Sequence, residues 1–144
     1  MPQASAGAPI PQVEYAFQHQ PDAVLDQAAP VQNTWYTVLA ATDDVRLYNV
    51  AMYISTTSED LGIRITVDGN ILLGAFGGAT VNAVYNTRFE DAGPDALRVE
   101  NTSFATYKAY FLEGQSVTIE VRKTTAAGTG NLHCIVKWAK LLPT

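Results

Sequence analysis

Val117-Thr118-Ile119-Glu120-Val121-Arg122 alternates apolar and polar side chains one for one, and Ile63-Arg64-Ile65-Thr66-Val67-Asp68 repeats the pattern. A period of two is what a strand with one buried and one wetted face requires, because successive side chains leave a pleated backbone on opposite sides. Working outward, Thr34–Leu39 and Val45–Thr56 are rich in aromatic and β-branched residues, which favours further strands. In the second of these, Tyr48, Val50, Met52 and Ile54 are expected on one face, opposite Asn49, Ala51, Tyr53 and Ser55. The last strand is expected from about Asn131 to Leu141, with Leu132, Cys134, Val136 and Trp138 alternating inward. Asp68-Gly69-Asn70 separates two apolar runs and reads as a hairpin, since glycine and asparagine tolerate positive φ. Reversals are also expected at Asp43-Asp44, Glu113-Gly114-Gln115 and Ala126 to Gly130, with a longer loop over Asp91 to Asp95. Roughly seven or eight regularly spaced strands point to an all-β fold, an antiparallel β-sandwich. Within that class a jelly-roll-like arrangement comes first. An immunoglobulin-like sandwich comes second, because a Cys-Trp-Cys framework is absent.

Composition changes near residue 33. Residues 1–33 hold five of the seven prolines and no lysine or arginine, and their charges are Glu14, Asp22 and Asp26. Proline fixes φ and removes a backbone donor, so this stretch cannot run as a central strand or a long helix. Pro21-Asp22 resembles a helix start, allowing a short helical turn as far as Gln27. The stretch otherwise reads as an extended N-terminal arm, with residues 34–144 as the sandwich body. Ile10, Val13, Tyr15 and Phe17 have no place in a purely solubilising linker. They are the candidate interface residues of an arm that docks into grooves on its own body or on a neighbour. Fully extended, such an arm reaches on the order of 100 Å at ~3.3 Å per residue.

The chain has 144 residues, 47% of them hydrophobic and 16% charged, with a net charge of -5. That suits one ordinary globular domain and excludes wholesale disorder. Nine basic residues in an acidic chain argue against nucleic acid as a partner. No apolar run is long enough for a membrane-spanning helix, and neither a membrane partner nor a secretory leader is expected. The single cysteine, Cys134, excludes an intrachain disulfide and a cysteine-rich zinc site, and it reads as a small buried hydrophobe.

Catalytic, cofactor and metal sites are expected to be absent, so the chain reads as a non-enzyme. His133 and Cys134 are neighbours in one strand, project to opposite faces and cannot form a dyad. The acidic pairs Asp43-Asp44, Glu59-Asp60 and Glu90-Asp91 lack a calcium-loop spacing and read as solvated turn acids. Gly74-Ala75-Phe76-Gly77-Gly78 lacks the Lys-Ser/Thr of a phosphate loop and reads as a bulge or a close backbone approach. Trp35, Tyr36, Tyr48, Tyr53, Tyr85, Tyr107, Tyr110 and Trp138 serve the core, or else an interface or a sugar-stacking platform.

Pro30-Val31-Gln32-Asn33-Thr34-Trp35-Tyr36-Thr37-Val38-Leu39, followed by Val45-Arg46-Leu47-Tyr48 and a long apolar strand, resembles small jelly-roll-like structural proteins of tailed bacteriophages and related viruses. The resemblance implies a virion component: a capsid decoration (cement) protein or, alternatively, a carbohydrate- or receptor-binding fibre head. It also implies a homotrimer without cofactors, docked on the major capsid protein or another virion protein. Its place would be the capsid surface, after assembly in the host cytoplasm.

Overall fold

The computed structural model describes residues 12–55, 59–79, 85–89, 97–100, 112–124 and 130–144. Nine strands are found among them: β1 (Tyr15–His19), β2 (Ala23–Gln27), β3 (Tyr36–Ser55), β4 (Glu59–Val67), β5 (Asn70–Ala79), β6 (Tyr85–Phe89), β7 (Leu97–Glu100), β8 (Leu112–Lys123) and β9 (Asn131–Pro143). Every pairing is antiparallel, and the fold is all-β. No helix among the described residues is long and apolar enough to cross a membrane.

β3 organises the molecule. Its first half pairs with β8 along one edge, from Tyr36↔Val121 to Leu47↔Leu112. Its second half pairs with β9 along the other edge, from Val45↔Lys140 to Ser55↔Asn131. β6 takes the edge that β8 leaves, at Ala51 and Met52. At about 3.3 Å per residue, twenty residues are far longer than one layer of a small domain needs. β3 therefore serves both halves, and the ladder breaks register along it, between Thr37 and Leu39, Thr42 and Val45, and Leu47 and Asn49. The path β1-β9-β3-β8-β4-β5 is thus one hydrogen-bonded sheet. Its inward residues meet in a single core: Ile63 and Ile65 of β4, Ile119 of β8, Met52 of β3, and Leu132 and Cys134 of β9, among others. A sheet turned back on one core in this way is consistent with a sandwich.

Several sequence expectations shift at these irregularities. Asp43 and Asp44 do not reverse the chain. Both take positive φ (68° and 61°) inside β3, where Thr42 pairs with Ser116 and Val45 with Gly114. Two residues of β3 thus face Gln115 alone, which is a bulge, so Glu113-Gly114-Gln115 also runs on within β8. Tyr48 leaves the face it was expected to share with Val50, Met52 and Ile54 because Leu47 pairs with Trp138 and Asn49 with Lys137. The extra residue flips the parity, and Leu47 is buried in its place. Two other expectations hold. Asp68 and Gly69, at φ 49° and 82°, form a two-residue hairpin turn closed by the Val67↔Asn70 pair. The β4–β5 register slips between Glu59 and Leu61, opposite Gly77-Gly78, which is the bulge expected in that glycine-rich run. The expected turn through Ala126 and the loop over Asp91 to Asp95 lie outside the described residues.

The stretch read as an arm contains two strands of the same sheet. β1 pairs with the last residues of β9 (Tyr15↔Pro143 to His19↔Ala139), and β2 pairs further along the same edge (Ala23↔Val136 to Gln27↔Leu132). A helical turn at Asp22–Gln27 is therefore not formed. Leu25 and Ala23 alternate onto the core, and β9 offers a ladder that a lone five-residue helix could not match. Pro21 and Pro30 stand just outside these two strands instead of interrupting them, as sheet edges permit.

Candidate functional site

Of the four candidate interface residues, Ile10 lies outside the described residues. Val13 and Tyr15 are exposed at 60% and 59%, on the outermost strand and just before it. Phe17 shares a strand face with Tyr15 but lies half-buried, with the Arg46 guanidinium 3.9 Å from its ring centroid. Arg46 is in turn paired with Glu113. His19 stacks on Tyr48 at 4.9 Å, using the residue that the bulge turned outward.

This segment is tied down along its length. The Thr144 backbone N–H and hydroxyl both donate to the Glu14 carbonyl (2.8 and 3.2 Å). Trp138 Nε1 donates to the Pro21 carbonyl at 3.0 Å, and Lys137 Nζ lies 3.0 Å from the Asp22 carboxylate. Asp26 pairs with His133 Nδ1, and His133 Nε2 lies 3.2 Å from Ser55 Oγ. Tyr53 stacks on the His133 ring at 4.3 Å and 9°.

Serine, imidazole and carboxylate in that order have the connectivity of a base-activated nucleophile. Here they stand side by side on the outward face of three adjacent strands, β3, β9 and β2, as the pairs Tyr53↔His133 and Asp26↔His133 require. The open hollows that are described lie toward the other end of β3, against Asp43, Asp44 and Asp68. The line therefore reads as a tie that holds β2 to the body. Period-two reading put His133 opposite Cys134, and Tyr53 and Ser55 together on the face opposite Met52 and Ile54. Nothing in the sequence brought Asp26 to them, because β2 was not expected. Cys134 is fully buried, on the face opposite His133.

A second cluster closes the junction between arm and body. Asn33 N donates to the Lys123 carbonyl (2.8 Å), and Gln32 Nε2 to that of Thr124 (3.0 Å). These bonds lay Trp35 across β4 and β8, with the guanidiniums of Arg64 and Arg122 at 4.5 and 4.3 Å from its ring. Gly62 makes room: a Cβ there would meet Arg122 Cγ at 3.3 Å. Arg64 is held by two hydrogen bonds to Glu120 (3.0 and 2.7 Å), whereas the buried Arg122 Nε has no hydrogen-bond partner. Replacing Trp35 by Ala removes both cation–π contacts and part of the junction's packing. The expected loss is about 1–3 kcal/mol, read from the denaturant midpoint, and an unchanged midpoint would show that Trp35 holds nothing.

The acidic turns carry less. Asp43, Asp44 and Asp68 surround an open hollow of about 780 Å³. Asp68 accepts a bond from Ser116 N at 2.9 Å, and Asp43 lies 3.5 Å from Lys140. Among the described residues no three His, Cys, Asp or Glu side chains are grouped to hold a metal ion. Glu90-Asp91, Tyr107 and Tyr110 fall outside the described residues.

No family model matches the chain, and no curated protein matches it. Among solved structures, the infectious bursal disease virus VP2 subviral particle aligns at 13% identity with a TM-score of 0.27. That alignment covers 92% of this chain and 41% of the other, so the chain spans less than half the length of the protein it matches. A likeness at that level establishes neither fold nor function.

Proposed function

We propose that this chain is a non-enzymatic structural component of a virion, a capsid decoration protein that reinforces the shell as a homotrimer at the capsid surface. The observation that supports this reading best is the state of the arm. It is fixed to β9 as edge strands, yet it holds Val13 and Tyr15 outward with more than half of each side chain exposed. Fixing a segment costs roughly 1–2 kcal/mol per residue in backbone entropy, so a rigid edge presenting apolar groups suits repeated contact with neighbouring subunits. The resemblance noted in the sequence points the same way.

A fibre head that stacks sugars needs exposed aromatic faces. Tyr15 is strongly exposed, but the ring of Trp35 is already engaged by the guanidiniums of Arg64 and Arg122. Counting copies in purified particles tests the proposal. A decoration protein is expected at many copies on regular lattice points of the shell. A few copies confined to the tail would favour the fibre head, and finding the chain only free of particles would end both readings.

A further inference from the structure

We infer that β1 and β2 are exchanged between copies of this chain: the arm leaves its own body at Ala28-Ala29 and completes the β9 edge of the next copy. The inference rests on the structural role proposed above and names how the copies of the oligomer are joined. β1 and β2 take their ladder bonds from β9, and the side-chain ties of the arm run to the same strand: Trp138 to the Pro21 carbonyl, Lys137 to Asp22 and His133 to Asp26. The apolar contacts also cross from arm to body, with Phe17 beneath Arg46 and Leu25 against the core. An element held in this way makes the same contacts on any copy whose β9 edge is open.

The hinge is short, and both of its flanks are fixed. β2 ends at Gln27, opposite Leu132. Pro30 is buried, Val31 N donates to Tyr36 Oη at 2.9 Å, and Asn33 N donates to the Lys123 carbonyl, so from Pro30 onward the chain belongs to the body. Ala28 and Ala29 are left to carry the chain from β9 across to β8. Ala29 does so at φ 43°, in the left-handed region, where a Cβ crowds the following carbonyl and which glycine enters freely. Ala29 also precedes Pro30, and the residue before a proline is pushed toward the extended region. Both alanines are exposed, and the Ala29 N–H makes only a long bond, 3.3 Å, to Asn131 Oδ1. Little holds this turn.

The strain belongs to the closed path alone. With Ala29 extended, the chain runs straight from β2 into Pro30, and β2 no longer lies along its own β9. A free arm exposes Leu25 and Phe17, and it leaves β9 as an open edge that templates pairing. One partner restores both at once: a second copy whose arm has also moved. It offers the same register, the same core margin for Leu25, and Lys137 and His133 for Asp22 and Asp26. Exchange thus returns the ladder and relaxes the turn, as short strained hinges invite. It costs the freedom of separate chains, which close packing of copies on a shell lowers. Each copy gives one arm and receives one, so the contact is heterologous and closes as a ring when the rotation permits.

The test uses the full chain carrying Val24→Cys with Ile135→Cys, a directly opposed pair of the β2–β9 ladder outside the core. Opposed residues of antiparallel strands lie about 4.5–5.5 Å apart at Cα, within the reach of a disulfide. Refolded at high concentration and oxidised, this variant is expected to run as chains linked to one another on a denaturing gel without reductant. Disulfides confined within single chains would overturn the exchange. Chains carrying one of the two substitutions each, mixed before refolding, are expected to link to each other, and absence of that product would overturn it as well. Sedimentation equilibrium on two hinge variants, which leave the ladder untouched, is the second measurement. Ala29→Gly accepts φ 43° and is expected to raise the dissociation constant of the oligomer about fivefold or more. Ala29→Pro cannot adopt that φ and is expected to lower the constant by at least as much. A constant that neither variant moves would show that the turn at Ala29 does not choose between the two edges, and the exchange would fall. Copy number on particles, measured separately, decides the decoration role. An oligomer whose disulfides stay within chains would end the exchange and leave that role standing.

Discussion

A chain shortened to begin at Pro30 is expected to lose at least about 3 kcal/mol of folding stability and to associate through the uncovered edge of β9. Sequence alone places the first strand of the body at Thr34, so that removing residues 1–29 would leave it intact. The ladder gives a different expectation. Truncation removes Leu25 and Ala23 from the core margin, Phe17 from beneath Arg46, and Asp26 from His133. It takes the Pro21 carbonyl from Trp138 Nε1 and leaves most of a thirteen-residue strand unpaired along one edge. Burial of one leucine contributes about 1.5–3 kcal/mol when complete, and a cation–π contact about 0.5–1. Removing residues 1–11 alone keeps all of these groups and serves as the reference truncation. Denaturant titration with light scattering on the two truncations separates the cases. Equal midpoints for both, without association, would show that β1 and β2 contribute nothing to the fold. Under the decoration role proposed above, attachment to particles is expected to fail in the longer truncation and to persist in the shorter one, which keeps Val13 and Tyr15.

What could be read in advance follows from how local each signal is. β4 and β8 were legible because each has one wetted face, so every residue reports its own environment through a period of two. The Asp68-Gly69 hairpin was legible because two adjacent residues carry the whole turn. β1 and β2 were not, since their partner lies more than a hundred residues away (Tyr15 pairs with Pro143) and their prolines read as breakers. The inversion at Tyr48 and the bulge at Asp43-Asp44 are decisions of the ladder, made where β3 changes partners. The same limit hid which residues of β5 are exposed. Ile71-Leu72-Leu73 belongs to one of the apolar runs beside the hairpin, and only the position of β5 at the end of the sheet path leaves Ile71 and Leu73 outside while Leu72 packs inward. Val13 and Tyr15 stood out for the opposite reason: apolar residues in a proline-rich segment are conspicuous whatever they pair with.

Cys134 provides the second large effect, and its sign is fixed by burial. The side chain is fully enclosed between β2 and β3, opposite Leu25 and Met52, and desolvation pushes its thiol from an ordinary 9.0 up to about 12. The folded state thus keeps its proton through a range in which the unfolded chain has lost it. Below pH 9 both states are protonated and the group has no effect on the balance. Between pH 9 and 12 the unfolded state binds fewer protons, so unfolding becomes easier by up to 1.36 kcal/mol per pH unit, about 4 kcal/mol over the interval. Tyrosines and lysines also titrate there, and the comparison that isolates the thiol is with Cys134→Ala. At neutral pH the parent is expected to be the more stable, by the packing that the sulfur supplies. Its advantage is expected to shrink above pH 9 and then reverse. Stability curves that stay parallel from pH 7 to about pH 11 would show that the thiol ionises as readily in the folded chain as in the unfolded one, and so that the core around Cys134 admits water.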